Sequence, residues 1–229
     1  MIDIKNLTVK YGVKTVYNNF NLQISGEGVT CILGESGCGK TTLLNAVAGL
    51  IDYGGEITTV TASYVFQSPR LIPYLTVLKN LTLTGADEES ALNLLKAVGL
   101  ADKIKAYPQT LSGGEARRVA LCRAFLKKAD VLLMDEPFSS LDLKNKLSAM
   151  NLFNRLREEE GRRALFVTHD IDEALYLADR IIILNNGAVA ADMVNDNNAP
   201  FGASSDMREN IVNILLSEAG EDITKTPLK

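Results

Sequence analysis

Hydrophobic and polar residues alternate along the first 30 positions of the chain, with a Tyr11-Gly12 turn between two runs. Alternation with a period of two is typical of strands that bury one face and expose the other. The pattern therefore predicts antiparallel strands within residues 1–30. The apolar members of the two runs are Ile2, Ile4, Leu7, Val9, Val16, Phe20, Leu22 and Ile24.

From residue 28 onward, short apolar runs alternate with segments whose apolar residues recur at helical spacing. Buried strands that alternate with helices indicate an α/β core with a mainly parallel sheet. The predicted strands lie at 28–33, 131–134 and 164–168, and the predicted helices lie at 41–50, 144–160 and 172–178.

One stretch of the chain, at about 76–128, has helical spacing between its turn signals. It is predicted to form a helical subdomain, inserted into a core that consists of residues 31–75 and 129–194. The chain is thus expected to be a single domain. The expected fold class is therefore α/β, with a mainly parallel sheet, an N-terminal antiparallel β subdomain and an inserted α-helical subdomain.

The last part of the chain is predicted to contain a hairpin and a tail. An Asn-Asn-Gly turn at 185–187 joins two apolar runs, as in a tight β-hairpin. The tail, residues 195–229, contains apolar residues at helical spacing, so a helix that docks on the core is expected. These residues are Ile211, Ile214 and Leu215.

Composition narrows the class of protein. With 229 residues, 46% of them hydrophobic, the chain can bury a substantial core. A net charge of −4 gives no basic surface, which argues against nucleic acid as a partner. No apolar run approaches the roughly 20 residues of a membrane-spanning helix, and no secretory signal is recognisable, so a cytoplasmic location is expected. The cysteines are odd in number, lack zinc-ligand spacing and are interpreted as free thiols: Cys31, Cys38 and Cys122.

A glycine-rich segment after the first predicted buried strand matches the pattern G-x-x-x-x-G-K-T. In such a loop the backbone N–H groups point inward, the next helix presents its positive end, and Lys40 reaches the outer phosphates. The strand before it and the helix after it favour a nucleoside triphosphate site over an ordinary glycine turn, so the α/β core is expected to be that of a P-loop NTPase. Bound ATP is expected to contact Gly34, Glu35, Ser36, Gly37, Cys38, Gly39, Lys40, Thr41 and Thr42, with the Thr41 hydroxyl on magnesium.

Two adjacent carboxylates end a second predicted buried strand, at the sheet edge where open α/β folds bind ligands. Neighbouring residues at a strand end point in different directions. Asp135 is therefore expected to serve the Mg²⁺ shell, and Glu136 to face the γ-phosphate and polarise the attacking water. A solvent-facing acidic turn is the alternative.

A third segment, Leu111–Glu115, contains Ser112 and two glycines before a helical run. Ser112 suits a helix N-cap, and the free N–H groups of the first turn could hold a second anion. Taken alone, the segment is most simply a helix cap.

These segments together resemble the ATP-binding subunits of ABC transporters. The resemblance covers roughly residues 1–195, and six motifs occur in the family's order and spacing. The motifs are the phosphate loop, Gln67 in Tyr64-Val65-Phe66-Gln67, Leu111–Glu115, Met134-Asp135-Glu136, Ser139-Ser140-Leu141-Asp142 and Thr168-His169-Asp170.

The resemblance implies roles for three residues around the nucleotide. Tyr11 is expected to stack on adenine, although an ordinary strand-turn aromatic is the alternative. Gln67 is expected to touch the magnesium shell and the attacking water, while its loop senses a transmembrane partner. His169 is expected to hold the γ-phosphate and Glu136 in position. The alternative for Gln67 is an ordinary surface glutamine, and the alternative for His169 is a core histidine.

The resemblance also implies a second ATPase subunit, either an identical or a similar chain. In the family, Ser112 and Gly114 contact the ATP that the other subunit's phosphate loop holds, so two chains enclose two nucleotides. Asp142 is expected to cross between subunits and link the two sites, although a helix-cap aspartate is the alternative.

A proline-rich run after Gln67, Pro69-Arg70-Leu71-Ile72-Pro73-Tyr74-Leu75-Thr76-Val77, is similar to the importer branch for nitrate, sulfonate and taurine. This implies an ATPase on the inner face of the cell membrane that energises import of a small anionic solute. Its partners would be transmembrane permease subunits and, indirectly, a solute-binding protein. The alternative is a family member with a mechanical or regulatory role that moves no solute.

Overall fold

The computed structural model describes residues 1–24, 27–195 and 206–218 of the chain. Within those residues it contains two β-sheets and seven α-helices. The strands are β1 (Ile2–Tyr11), β2 (Lys14–Ile24), β3 (Val29–Leu33), β4 (Gly54–Ile57), β5 (Ala62–Val65), β6 (Val131–Asp135), β7 (Arg163–Thr168), β8 (Arg180–Asn185) and β9 (Ala188–Val194). The helices are α1 (Lys40–Val47), α2 (Val77–Thr82), α3 (Glu88–Ala97), α4 (Gly113–Leu126), α5 (Leu143–Glu160), α6 (Ile171–Leu177) and α7 (Asp206–Glu218).

The smaller sheet is antiparallel and has the strand order β2-β1-β4. The two strands predicted within residues 1–30 pair as expected, with Ile4 opposite Leu22. The third strand, β4, was not predicted from the sequence, and it places a segment outside residues 1–30 in this sheet. Its sequence, Gly-Gly-Glu-Ile, has no alternation and reads as a turn, so only its pairing with β1 makes it a strand.

The larger sheet has the order β5-β6-β7-β3-β8-β9 and is parallel except for β9. This confirms the predicted α/β class. In the parallel register Leu33 lies opposite Thr168, and Asp135 lies opposite Val167. The segments that follow β3, β6 and β7 therefore emerge at one edge of the sheet.

Both faces of this sheet are covered, which explains why its central strands are continuously apolar. On β3, Cys31 and Leu33 face one cluster, while Ile32 faces the other. The first cluster also contains side chains of α4, α5, α6 and α7. The second joins the sheet to α1 and to the antiparallel sheet, so the two sheets share one buried layer.

The helices between residues 76 and 128 have a buried cluster of their own, formed by α2, α3 and one side of α4. Helix α4 belongs to two cores, because Val119 packs with the helical cluster and Leu121 packs with the sheet. The side chain of Asn80, in α2, is buried. Its amide donates to the carbonyls of Ile72, Leu75 and Thr76 and so holds the segment that precedes the helix.

The predicted hairpin is confirmed by β8 and β9, whose turn has positive φ at Asn186 and Gly187. The predicted tail helix is also confirmed. Ile211 of α7 is buried in the sheet's core, and Ile214 and Leu215 pack against it. The remaining parts of the tail, 196–205 and 219–229, lie outside the described residues. In the part of the chain that the structure describes, no helix has the length and apolarity needed to span a bilayer.

The burial of Phe153 predicts a large stability contribution. Phe153 of α5 is 0% exposed and packs with Phe125, whereas Leu143 on the same helix is 62% exposed. We expect Phe153→Ala to lower the free energy of unfolding by about 3–5 kcal/mol, since it leaves a cavity. The matched variant Leu143→Ala should change it by less than about 0.5 kcal/mol. Urea denaturation followed by circular dichroism measures both, and equal midpoints would contradict the packing described.

Candidate nucleotide site

The phosphate loop lies between β3 and α1, at the carboxyl edge of the large sheet. Two of its glycines are required by close packing. A Cβ at Gly34 would lie 2.4 Å from the carbonyl oxygen of Leu184, and one at Gly39 would lie 2.8 Å from the hydroxyl of Tyr17. Gly39 also has a φ of 113°, which an L side chain rarely adopts. The loop can therefore turn sharply into α1 only with glycine at these positions.

Tyr17 anchors the end of this loop, although no motif in the sequence marks it. Its buried hydroxyl donates to the Gly39 carbonyl at 3.0 Å. Burial raises the pKa of this hydroxyl, so it remains protonated and keeps its donor. The antiparallel sheet thus fixes the point at which the loop becomes a helix. The alternating pattern predicts strands in this part of the chain but does not single out Tyr17.

Lys40 is the first residue of α1 and is buried. Its ammonium donates to the carbonyls of Gly34 and Glu35, each at 2.7 Å, which curls the side chain back over the loop. The positive charge of Lys40 is thereby held within the loop, at the start of α1. This arrangement fits a polyphosphate.

Thr41 and Asp135 are brought together from positions 94 residues apart. The Thr41 hydroxyl donates to Asp135 Oδ1 at 2.8 Å. Burial raises the pKa of Asp135, and the hydrogen bond from Thr41 opposes that shift. A hydroxyl and a carboxylate are oxygen ligands of the kind that Mg²⁺ takes alongside phosphate oxygens. The donor set therefore fits the predicted magnesium site.

Glu136, Gln67 and His169 are the three residues predicted to act on the attacking water, and Glu136 contacts both of the others. Gln67 Nε2 donates to Glu136 Oε2 at 3.2 Å, and His169 Nδ1 lies 3.2 Å from Glu136 Oε1. The Glu136 backbone N–H donates to Val167 O, and its φ of 41° is unusual for a residue other than glycine. The sheet therefore holds this carboxylate in a strained backbone conformation, with Gln67 and His169 on either side.

A cavity of about 320 Å³ joins the phosphate loop to Glu136. Tyr11 stands at its rim with half of its surface exposed, as a residue that stacks on a base requires. Lys14 and Val16 also line it, and no motif in the sequence marks either of them as a site residue. The available signal was their spacing: Lys14 and Val16 are alternate residues at the start of β2, shortly after Tyr11. The full lining is Tyr11, Lys14, Val16, Ser36, Gly37, Gly39, Lys40, Thr41, Thr42 and Glu136.

The structure places Ser112, Gly114 and Asp142 outside that lining. Ser112 caps α4 and forms a capping box with Glu115, and Asp142 caps α5 by accepting from the Asn145 N–H. A Cβ at Gly114 would lie 2.7 Å from Asn145 Oδ1. The three residues therefore cluster where α4 and α5 begin.

Cys38 contributes to the loop through its backbone. The Cys38 thiol is buried in the core beneath the loop, and a Cβ at Gly34 would lie 2.9 Å from its sulfur. Only the main chain at this position can face a phosphate. All three cysteines are free, as predicted.

Comparison with known proteins identifies the family. Residues 17–139 match the family model described as ABC transporter. The chain is 42% identical over 198 residues to the aliphatic sulfonates import ATP-binding protein SsuB 1 of Paracoccus denitrificans, covering 83% of this chain and 82% of that one. It is 45% identical over 191 residues to SsuB of Delftia acidovorans, covering 80% and 79%.

The chain belongs to the ABC transporter family. This confirms the resemblance to the ATP-binding subunits of ABC transporters. Among solved structures, the ABC cassette MJ0796, in a dimeric post-hydrolysis state with ADP and Pi, matches with a TM-score of 0.75 at 32% identity, covering 86% of this chain and all of that one. The present chain is an ABC ATPase by family and fold.

The position of Glu136 in this ABC ATPase predicts the effect of removing its charge. We expect Glu136→Gln to bind ATP but to lower turnover by about 100- to 10,000-fold, the range typical of a lost general base. ATP-bound dimers should then accumulate in size-exclusion chromatography. Glu159→Gln, on the exposed side of α5, is the matched control. Hydrolysis at the wild-type rate in the Glu136 variant would remove the assigned role.

Proposed function

We propose that this ABC ATPase energises the import of an aliphatic sulfonate, or a chemically similar small anion, at the inner face of the cell membrane. The observation that carries the proposal is the 42–45% identity to ATP-binding proteins of aliphatic sulfonate import over about four fifths of the chain. The proline-rich run after Gln67 supports the same branch. Separate permease subunits would form the path, and a solute-binding protein would deliver the anion to them.

Hydrolysis is proposed to follow from the site geometry. The loop N–H groups and Lys40 hold the phosphates, and Thr41, Asp135 and Gln67 serve the magnesium shell. Bound Mg²⁺ would neutralise charge on the phosphate oxygens. Glu136 accepts a proton from the attacking water as the new oxygen–phosphorus bond forms, while the γ-phosphate separates from ADP. His169 keeps the Glu136 carboxylate aimed at that water.

A second ATPase subunit is proposed to complete each site. Ser112, Gly114 and Asp142 begin two helices whose N–H groups have positive partial charge, yet they do not line this chain's own cavity. Residues so placed can act on a nucleotide held by another copy. The dimeric arrangement of MJ0796 supports this assignment.

A groove between the sheet and the helical subdomain is the proposed docking surface for a permease. It has a volume of about 590 Å³, and Leu50, Phe66, Ile72 and Leu83 give it an apolar lining. Leu83 is 58% exposed at its rim. Exposed apolar side chains grouped in a groove are typical of a surface that a partner covers. The groove's position beside the Gln67 loop would let a permease affect the catalytic carboxylate.

The groove predicts a selective loss of assembly. We expect Leu83→Glu to prevent co-purification with the permease encoded beside this chain, because a charge would be buried at the interface. Basal ATPase activity should be retained, since Leu83 does not line the nucleotide cavity. Val189→Glu, 38% exposed on β9, is the control and should assemble normally. Normal assembly of the Leu83 variant would place the permease elsewhere.

The substrate assignment is tested by reconstitution. ATPase subunit, permease and solute-binding protein from the same gene cluster are placed in vesicles, and ATP hydrolysis is measured with different anions. An aliphatic sulfonate should raise hydrolysis and enter the vesicles, whereas sulfate should do neither if the alkyl group is recognised. Stimulation by nitrate alone would reassign the solute, and an absence of any solute effect would contradict the transport role.

A further inference from the structure

The loop that contains Gln67 is held from one side by two arginines of α4. Arg117 donates from Nη1 to Phe66 O at 2.8 Å and from Nη2 to Gln67 O at 2.5 Å. Six residues later on the helix, Arg123 donates to Arg70 O at 2.9 Å and to Pro69 O at 3.0 Å. Two guanidinium groups thus bind four of the five carbonyls in segment 66–70.

Both arginines use their guanidinium groups on backbone carbonyls rather than on carboxylates. Arg117 is only 4% exposed, and within the described residues neither arginine forms an ion pair with a carboxylate. Burial lowers the pKa of both guanidinium groups. A guanidinium presents its donors as a rigid planar fork, so the paired carbonyls must keep a fixed orientation. The segment is therefore attached to α4 as one body.

Helix α4 joins two parts of the nucleotide machinery. Ser112 is its N-cap and Gly114 lies in its first turn, and we assign both to the second subunit's nucleotide. Its next turn carries Arg117, which holds the Gln67 backbone, and the Gln67 side chain contacts Glu136. A displacement of the first turn must therefore move Gln67 relative to Glu136.

We infer that Arg117 is a positioning residue that couples the other subunit's nucleotide to this subunit's catalytic carboxylate. It acts through Gln67, and Arg123 keeps the far end of the same segment on α4. The inference rests on the proposed dimeric function. In this role, the Arg117 guanidinium transmits a movement of α4 to Gln67, and thereby to the point where Glu136 activates water.

The first test is a double-mutant cycle on the purified full-length protein. Arg117→Gln should lower kcat by about tenfold, which corresponds to about 1.4 kcal/mol in the barrier. The KM for ATP should change less than about twofold, because residues 34–41 are untouched. In a Gln67→Ala background the same substitution should change kcat by less than about twofold, since residues that act through one another are not additive.

A matched control separates this role from loss of an arginine in general. Arg155 of α5 also donates to a backbone carbonyl, that of Ala97 at 3.1 Å, but it lies away from segment 66–70. Arg155→Gln should leave kcat unchanged. Arg117→Lys keeps the charge and one donor direction, so its kcat should lie between those of the wild type and Arg117→Gln.

Hydrogen exchange gives a readout that does not depend on turnover. The amides of residues 66–68 and 70 should exchange faster in Arg117→Gln than in the wild type, while those of α1 should not; Pro69 has no amide hydrogen. Unchanged exchange in that segment, or a tenfold loss of kcat in both Gln67 backgrounds, would overturn the inference. A wild-type chain that binds ATP without hydrolysing it would contradict the proposed function instead, and faster exchange would then still support attachment by Arg117.

Discussion

Parallel hydrogen bonding of β3, β7 and β6 is the constraint on which the site depends. The register that pairs Leu33 with Thr168 and Asp135 with Val167 ends three strands at one edge. The phosphate loop, the acidic pair and His169 are therefore neighbours, although they are far apart in the chain. Burial of both sheet faces fixes that register, because a shift of one residue would exchange the side chains of the two clusters.

Two backbone positions of the proposed site have positive φ and are held by contacts with neighbouring strands. Gly39 and Glu136 both have positive φ, and only the first is a glycine. Tyr17 and the Val167 carbonyl bind the backbone at these two points and thereby stabilise conformations that the residues would not adopt alone. A rigid sheet and a second packed sheet thus hold the phosphate side and the water side of the site in fixed relation.

Helix α4 connects this edge of the sheet to the helical subdomain. It packs into the helical cluster through Val119 and into the sheet's core through Leu121, so it can transmit motion between them. Its arginines carry the Gln67 segment with it. The groove proposed for a permease borders the same segment, which includes Phe66 and Arg70. Nucleotide, catalytic carboxylate and membrane partner would therefore communicate through one helix and one loop.

The sequence by itself determined the contiguous parts of this protein. The phosphate loop, the Asp135-Glu136 pair and the cap at Ser112 are short segments whose chemistry is local, and the alternation of buried strands with helices indicated the α/β class. Roles for Gln67, His169 and Asp142 came from the family resemblance rather than from any local pattern. The structure added where these residues lie relative to the local segments.

Only the tertiary structure decided the long-range contacts. It placed β4 beside β1, Tyr17 under Gly39, and Gln67 against Glu136 across 69 positions. The contact between Arg117 and the Gln67 carbonyl belongs to the same group. A backbone carbonyl is present at every residue, so the acceptor of such a bond has no signature in the sequence. Packing of the whole chain selects which carbonyl an arginine or a tyrosine will meet.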